Sequence, residues 1–90
     1  MVKKLIILGG GESGVGSAIL GKSMGYDVFL SDGGKLKEKY VQELKSHDIE
    51  FEDGGHDENR ILEADEVMKS PGIPHKNEMV KKILNKDVPI

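Results

Sequence analysis

The clearest chemistry near the amino terminus lies in Gly9-Gly10-Gly11-Glu12-Ser13-Gly14, which fits the pattern G-x-G-x-x-G. That pattern has meaning only where a strand leads in and a helix leads out, and both are predicted here. Gly9 permits a tight turn, Gly11 lets backbone N–H groups approach a phosphate, and Gly14 lets the helix pack near the strand. The unpaired N–H groups of the first helical turn, with their partial positive charge, then favour an anion. Ser13 adds a hydroxyl. A carboxylate aimed at an anion would repel it, so Glu12 is expected to face solvent, where the helix N-terminus stabilises it. Gly16 extends the small residues and predicts unusually close packing of this helix on the sheet. The plain alternative is a tight turn that binds nothing.

Asp32 falls about 20 residues beyond the glycine loop, where dinucleotide-binding folds place an acid against ribose hydroxyls. A carboxylate there accepts the imide N–H of uracil equally well, and the chemistry does not choose. Gly33 and Gly34 leave room for a flat base against backbone, although Ser31-Asp32-Gly33-Gly34 is also ordinary turn composition. Further on, Ser70-Pro71-Gly72-Ile73-Pro74 makes a rigid corner, with Gly72 able to expose its N–H or admit a ligand. His47, His56 and His75 have no metal-ligand spacing and read as surface residues, with His56, after Gly54-Gly55, nearest the binding edge. No Ser-His-Asp or paired-carboxylate arrangement is present, so no catalytic residue and no metal site is assigned.

The elements that must position these groups alternate in type. Leu5 to Leu8 is a continuous apolar run closed by glycines, as in a strand buried on both faces of a parallel sheet. Val15 to Met24 has helical spacing, with Val15, Ala18 and Ile19 on one face and Gly25 as the stop. Tyr26 to Ser31 is a second strand, and Leu36 to Ser46 a second helix with Leu36, Tyr40, Val41 and Leu44 inward. A third strand at Ile49–Phe51, a helix at Glu58–Glu63 and a strand at Glu66–Lys69 follow. Asn77 to Asn85 is a fourth helix, and Val88 to Ile90 enters a fifth strand. The expected fold is therefore α/β: a Rossmann-like, doubly wound parallel sheet of four to five strands, ordered 3-2-1-4, with helices on both faces. Ligands of such sheets bind beyond the carboxyl ends of the strands, where the glycine loop, Asp32 and the Ser-Pro-Gly corner all fall.

Bulk properties narrow the partners. Ninety residues suit one domain, spanning 1–90, near the lower size limit for a core without disulfides or metals. The net charge of −3 is spread along a chain with few aromatics, so the footprint of a nucleic-acid binder is missing. No cysteine is present, which excludes disulfides and thiolate chemistry and fits a reducing cytoplasm. No apolar stretch is long enough to span a bilayer or to form a signal-peptide core. A soluble cytoplasmic domain, with no nucleic-acid or membrane partner, is the expectation.

Taken together, the loop Gly9–Gly14, the segment Val28-Phe29-Leu30-Ser31-Asp32, the Gly54-Gly55-His56 turn and the stretch from Ala64 to Pro74 resemble the first domain of the Mur ligases. The Ser-Pro-Gly-Ile-Pro corner is the most specific piece, being characteristic of the D-glutamate-adding branch. The resemblance covers essentially the whole chain. It implies binding of the UDP part of UDP-N-acetylmuramoyl-L-alanine. By that resemblance Gly11, Glu12, Ser13 and Gly14 lie by the pyrophosphate, Asp32, Gly33 and Gly34 by the uracil, and Ser70, Pro71 and Gly72 near the sugar-phosphate part. Glu12, Gly33 and Gly34 depart from commoner family choices.

The family joins an amine to a carboxylate through an acyl phosphate, using ATP and magnesium. Gly21-Lys22-Ser23 carries the residues of a phosphate loop but falls within the predicted helix Val15 to Met24, so the Gly-Lys-Ser/Thr loop between a strand and a helix that ATP requires is not found in this sequence. The resemblance thus implies a fragment that binds without catalysing and needs no cofactor of its own, with the central ATP-binding and C-terminal domains of the ligase absent. Two other readings stay open: an NAD-binding domain of an oxidoreductase or nucleotide sensor, and a ligand-free protein-interaction domain.

Overall fold

A computed structural model describes residues 2–69. Seven elements follow one another: β1 (Lys4–Leu8), α1 (Glu12–Ser23), β2 (Asp27–Ser31), α2 (Glu38–Ser46), β3 (Glu50–Glu52), α3 (Glu58–Leu62) and β4 (Glu66–Lys69). All strand pairs are parallel and the order is β3-β2-β1-β4, as the alternation of elements predicts. The order reverses after β3, which puts a topological switch point between β1 and β4. The predicted fourth helix, fifth strand and Ser-Pro-Gly corner lie outside the described residues.

β1 explains the two-sided sheet. Leu5 through Leu8 are all at most 4% exposed, because successive side chains point to opposite faces and both faces are covered. Leu5 and Ile7 join Val28, Leu30, Val15, Ala18, Leu36, Leu44 and Ile49 in one core, beneath α1 and α2. Ile6 and Leu8 join Phe29, Val67, Ile61 and Ala64 in the other, beneath α3. Each such aliphatic side chain taken out of water contributes roughly 1.5–3 kcal/mol. Val41, expected in the core, is only half-buried against its margin.

Helix ends follow local chemistry. α1 stops at Met24, and Gly25 takes φ +90, the left-handed conformation that closes helices at little cost when no Cβ is present. Asp48 performs the same turn after α2 at φ 57, a conformation that aspartate tolerates better than most residues. α3 is capped by Asp57, whose carboxylate accepts the Arg60 N–H.

α1 differs from expectation in two ways. It begins at Glu12, three residues before the first apolar position, so the glycine loop ends inside the helix. Gly16 is exposed with no atom within 4 Å of a would-be Cβ, so it does not bring the helix to the sheet. Gly14, Val15, Ala18 and Gly21 form the buried face instead. A Cβ on Gly21 would come within 2.7 Å of Leu5, and one on Gly14 within 1.9 Å of the Gly9 carbonyl oxygen.

Candidate functional site

The carboxyl ends of β1, β2 and β3 bring three turns together. Gly9 leaves β1 at φ +104, the turn for which glycine is suited, and donates its N–H to the Ser31 carbonyl at 2.9 Å. Gly10 is buried beneath the next loop, where a Cβ would lie 1.9 Å from Leu36 and 3.1 Å from the Asp32 carboxylate. Sequence reasoning gave Gly10 no role, because the pattern leaves that position free. Gly11 caps α1 with extended backbone, makes no side-chain cap, and leaves open space where its Cβ would be. Glu12 is exposed in the first turn, as expected, Ser13 is exposed beside it, and Gly14 is the close-packing residue.

The N-terminus of α1 therefore opens at the carboxyl edge with no side chain spent on it. Its first backbone N–H groups have no partner within the helix, and the dipole gives that end partial positive charge. A phosphate is the complementary ligand.

Asp32 works on the protein as well as facing the edge. One carboxylate oxygen accepts the Gly10 N–H and the other the Gly34 N–H, both at 2.8 Å. The side chain thus ties the glycine loop to the β2–α2 turn. An ionised carboxylate offers about four lone-pair sites, so two remain for a ligand. Gly34 donates to Asp32 and accepts from the Gly54 N–H, and Gly33 carries the edge of the His56 ring against its backbone. The space that Gly33 leaves is thus filled in part by an imidazole rather than left wholly to a base.

The third turn adds residues that sequence reasoning missed. Asp53 accepts the Leu36 N–H at 3.0 Å and Glu52 accepts the Ser31 hydroxyl at 2.8 Å. The signal was available: acids at the ends of both β2 and β3, and a serine at an inward position of β2. His56 is half-buried on the edge, while His47 is exposed at the end of α2. Ser70, Pro71 and Gly72 lie outside the described residues, although Lys69, just before them, pairs with Leu8 at the same edge. Among the described residues no cluster of three histidines or acids is arranged to hold a metal.

A hollow of about 400 Å³ lies elsewhere, between Lys4, Asp27 and Glu63 on the α3 face. It reaches the amino ends of β1 and β2, and Arg60, stacked 3.8 Å from the Phe29 ring centroid, borders it. The glycine turn and the helix terminus are at the other end of the strands, so the carboxyl edge is taken as the site.

Comparison with known proteins agrees with this fold. The UDP-N-acetylmuramoylalanine--D-glutamate ligase of Christiangramia forsetii is 58% identical over the whole chain, which covers 20% of that protein. The ligase of the same description from Cytophaga hutchinsonii is 47% identical, again over the whole chain and 20% of its own length. Among solved structures, a pseudomurein peptide ligase type C from Methanothermus fervidus superposes with a TM-score of 0.82 at 31% identity, over 97% of this chain and 18% of that one. The Neisseria meningitides UDP-N-acetylmuramate:L-alanyl-gamma-D-glutamyl-meso-diaminopimelate ligase gives a TM-score of 0.81 at 25% identity, over 99% of this chain and 28% of that one. The chain spans about a fifth of the length of the curated relatives it matches. The family profile described as the MurD N-terminal domain matches residues 4–79, taking in the glycine loop, Asp32 and the Ser-Pro-Gly corner alike, and the chain belongs to that family.

Proposed function

We propose that this chain binds the UDP half of UDP-N-acetylmuramoyl-L-alanine, as the N-terminal domain of an ATP-dependent ligase that adds D-glutamate during peptidoglycan precursor synthesis in the cytoplasm. The observation that carries the proposal is the open N-terminus of α1 at the switch-point edge, held against the end of β2 by Asp32. In this reading the backbone of Gly11, Glu12, Ser13 and Gly14 holds the pyrophosphate. The remaining acceptor capacity of Asp32, beside Gly33 and Gly34, meets the uracil, and Ser70, Pro71 and Gly72 meet the sugar-phosphate part.

Residues 1–90 form the UDP-binding domain in this reading. ATP, magnesium and the transfer step belong to central and C-terminal domains of a longer ligase, because the Gly21-Lys22-Ser23 of this sequence is the last turn of α1 and not a phosphate loop between a strand and a helix. This chain's part is to grip and orient one end of the substrate, which lowers the entropic cost of bringing the distant carboxylate to the reacting amine. The relatives and structures described above are ligases, and none supports the oxidoreductase alternative. Calorimetric titration with UDP-N-acetylmuramoyl-L-alanine, UDP and NAD tests the proposal. Preference for the uridine ligands supports it, and preference for NAD contradicts it.

A further inference from the structure

Ser31 is the buried polar side chain of the described core, with 0% of its surface exposed. Its hydroxyl lies 2.8 Å from Glu52 Oε2 and 2.6 Å from His56 Nδ1. A hydroxyl has one hydrogen to donate and a carboxylate can only accept. The Ser31 hydrogen therefore goes to Glu52, whose same oxygen also accepts the Asp57 N–H at 2.8 Å. The Ser31 oxygen must then accept from His56, so Nδ1 carries the hydrogen. In the neutral ring this leaves Nε2 as an acceptor.

The position of Nε2 gives that assignment a use. It lies 3.2 Å from where a Cβ on Gly33 would be, so the ring edge rests against the exposed turn beyond β2. No group among the described residues bonds it. Asp32, beside Gly33 in the turn beyond β2, already has each oxygen engaged by a backbone N–H. Nε2 is thus an oriented acceptor, with no partner among the described residues, at the edge where the nucleotide is proposed to lie.

We propose that His56 Nε2 accepts a hydrogen bond from the nucleoside part of the ligand, and that Ser31 and Glu52 are positioning residues that set its tautomer. The inference rests on the reading of this edge as a UDP site and names a residue that selects within it. Diphosphate has no donor at neutral pH beyond its weakly held last proton, so the acceptor reads the nucleoside. Uridine offers two kinds of donor, the imide N–H and the ribose hydroxyls, and one acceptor serves either.

The test uses the 90-residue chain, UDP, N3-methyl-UDP and deoxyribose forms of UDP. Asparagine keeps an N–H near the Nδ1 position and has nothing at Nε2, so His56→Asn preserves the bond to Ser31 while deleting the acceptor. His56→Asn should weaken UDP binding roughly 3- to 10-fold, the range for one neutral hydrogen bond. In the unsubstituted protein one analogue should lose a similar factor, and that loss should vanish in His56→Asn. Loss with the N3-methyl analogue assigns the imide, and loss with a deoxyribose analogue assigns the hydroxyl. Long-range proton–nitrogen spectra of the unsubstituted protein should show Nδ1–H, and Ser31→Ala should relax that preference. Unchanged UDP affinity in a folded His56→Asn, equal binding of all the analogues, or Nε2–H in the unsubstituted protein each overturns the proposal. Those results leave the UDP reading standing, whereas failure of the unsubstituted protein to bind UDP overturns both.

Discussion

Replacing Asp32 by alanine should destabilise the fold, because its carboxylate hydrogen-bonds to both the glycine loop and the β2–α2 turn. Oδ2 accepts the Gly10 N–H at 2.8 Å in a part-buried setting, and Oδ1 accepts the Gly34 N–H at 2.8 Å where water can reach. A hydrogen bond to a charged group contributes about 1.5–3 kcal/mol where a replacement by water is hindered, and about 0.5 kcal/mol is reasonable for the exposed one. The expected loss is about 2–3.5 kcal/mol, a large share of the roughly 5–15 kcal/mol that holds a typical domain. Asp32→Asn keeps one acceptor oxygen, which should turn to Gly10, and presents N–H groups to Gly34, so it should lose the smaller share. Urea unfolding measures both through the transition midpoint at unchanged slope. If Asp32→Ala unfolds within about 0.5 kcal/mol of the parent, the carboxylate is not a clamp and the reasoning fails.

Three glycines make sharper contrasts. Gly14→Ala puts a Cβ 1.9 Å from the Gly9 carbonyl oxygen, so backbone must move, and a loss of about 1–3 kcal/mol is expected from thermal or chemical unfolding. Gly16→Ala meets nothing within 4 Å and relieves the entropy of a helical glycine, so it should stabilise by about 0.5–1 kcal/mol in the same assay. Gly11→Val should fold, since the space at its Cβ is open, yet lose UDP binding by calorimetry because the added bulk occupies the phosphate approach. Unchanged affinity there would make the loop a turn and nothing more.

The strand order was legible because parallel sheets obey strong rules. A run such as Leu5–Leu8 has few alternatives once glycines close it, and right-handed crossovers leave 3-2-1-4 as the simplest arrangement. The roles of Gly9 in the turn and Gly14 in close packing were legible for the same reason: each spacing answers a separate steric demand of the turn. Gly16 was misread because a small residue on a helix has no periodic signature that separates packing from exposure, and only the rotation of α1 decides it. That rotation follows from the start of α1 at Glu12, which lacks an apolar marker. The Asp32 clamp and the Glu52–Ser31–His56 chain were hidden because hydrogen bonds between turns 21 to 25 residues apart depend on tertiary placement. Their residue types were visible, but their partners were not.

The central claim is that the carboxyl edge of this sheet holds a uridine diphosphate, gripped at the open end of α1 and beside the β2 turn. Titration of the isotopically labelled chain with UDP, and separately with NAD, tests it most directly through backbone amide shifts. The account predicts that UDP moves the signals of Ser13 and Asp32 in a saturable way, leaves Lys4 and Asp27 at the far end of the strands unmoved, and binds more tightly than NAD. Saturable shifts of Ser13 and Asp32 with NAD, and none with UDP, would contradict it.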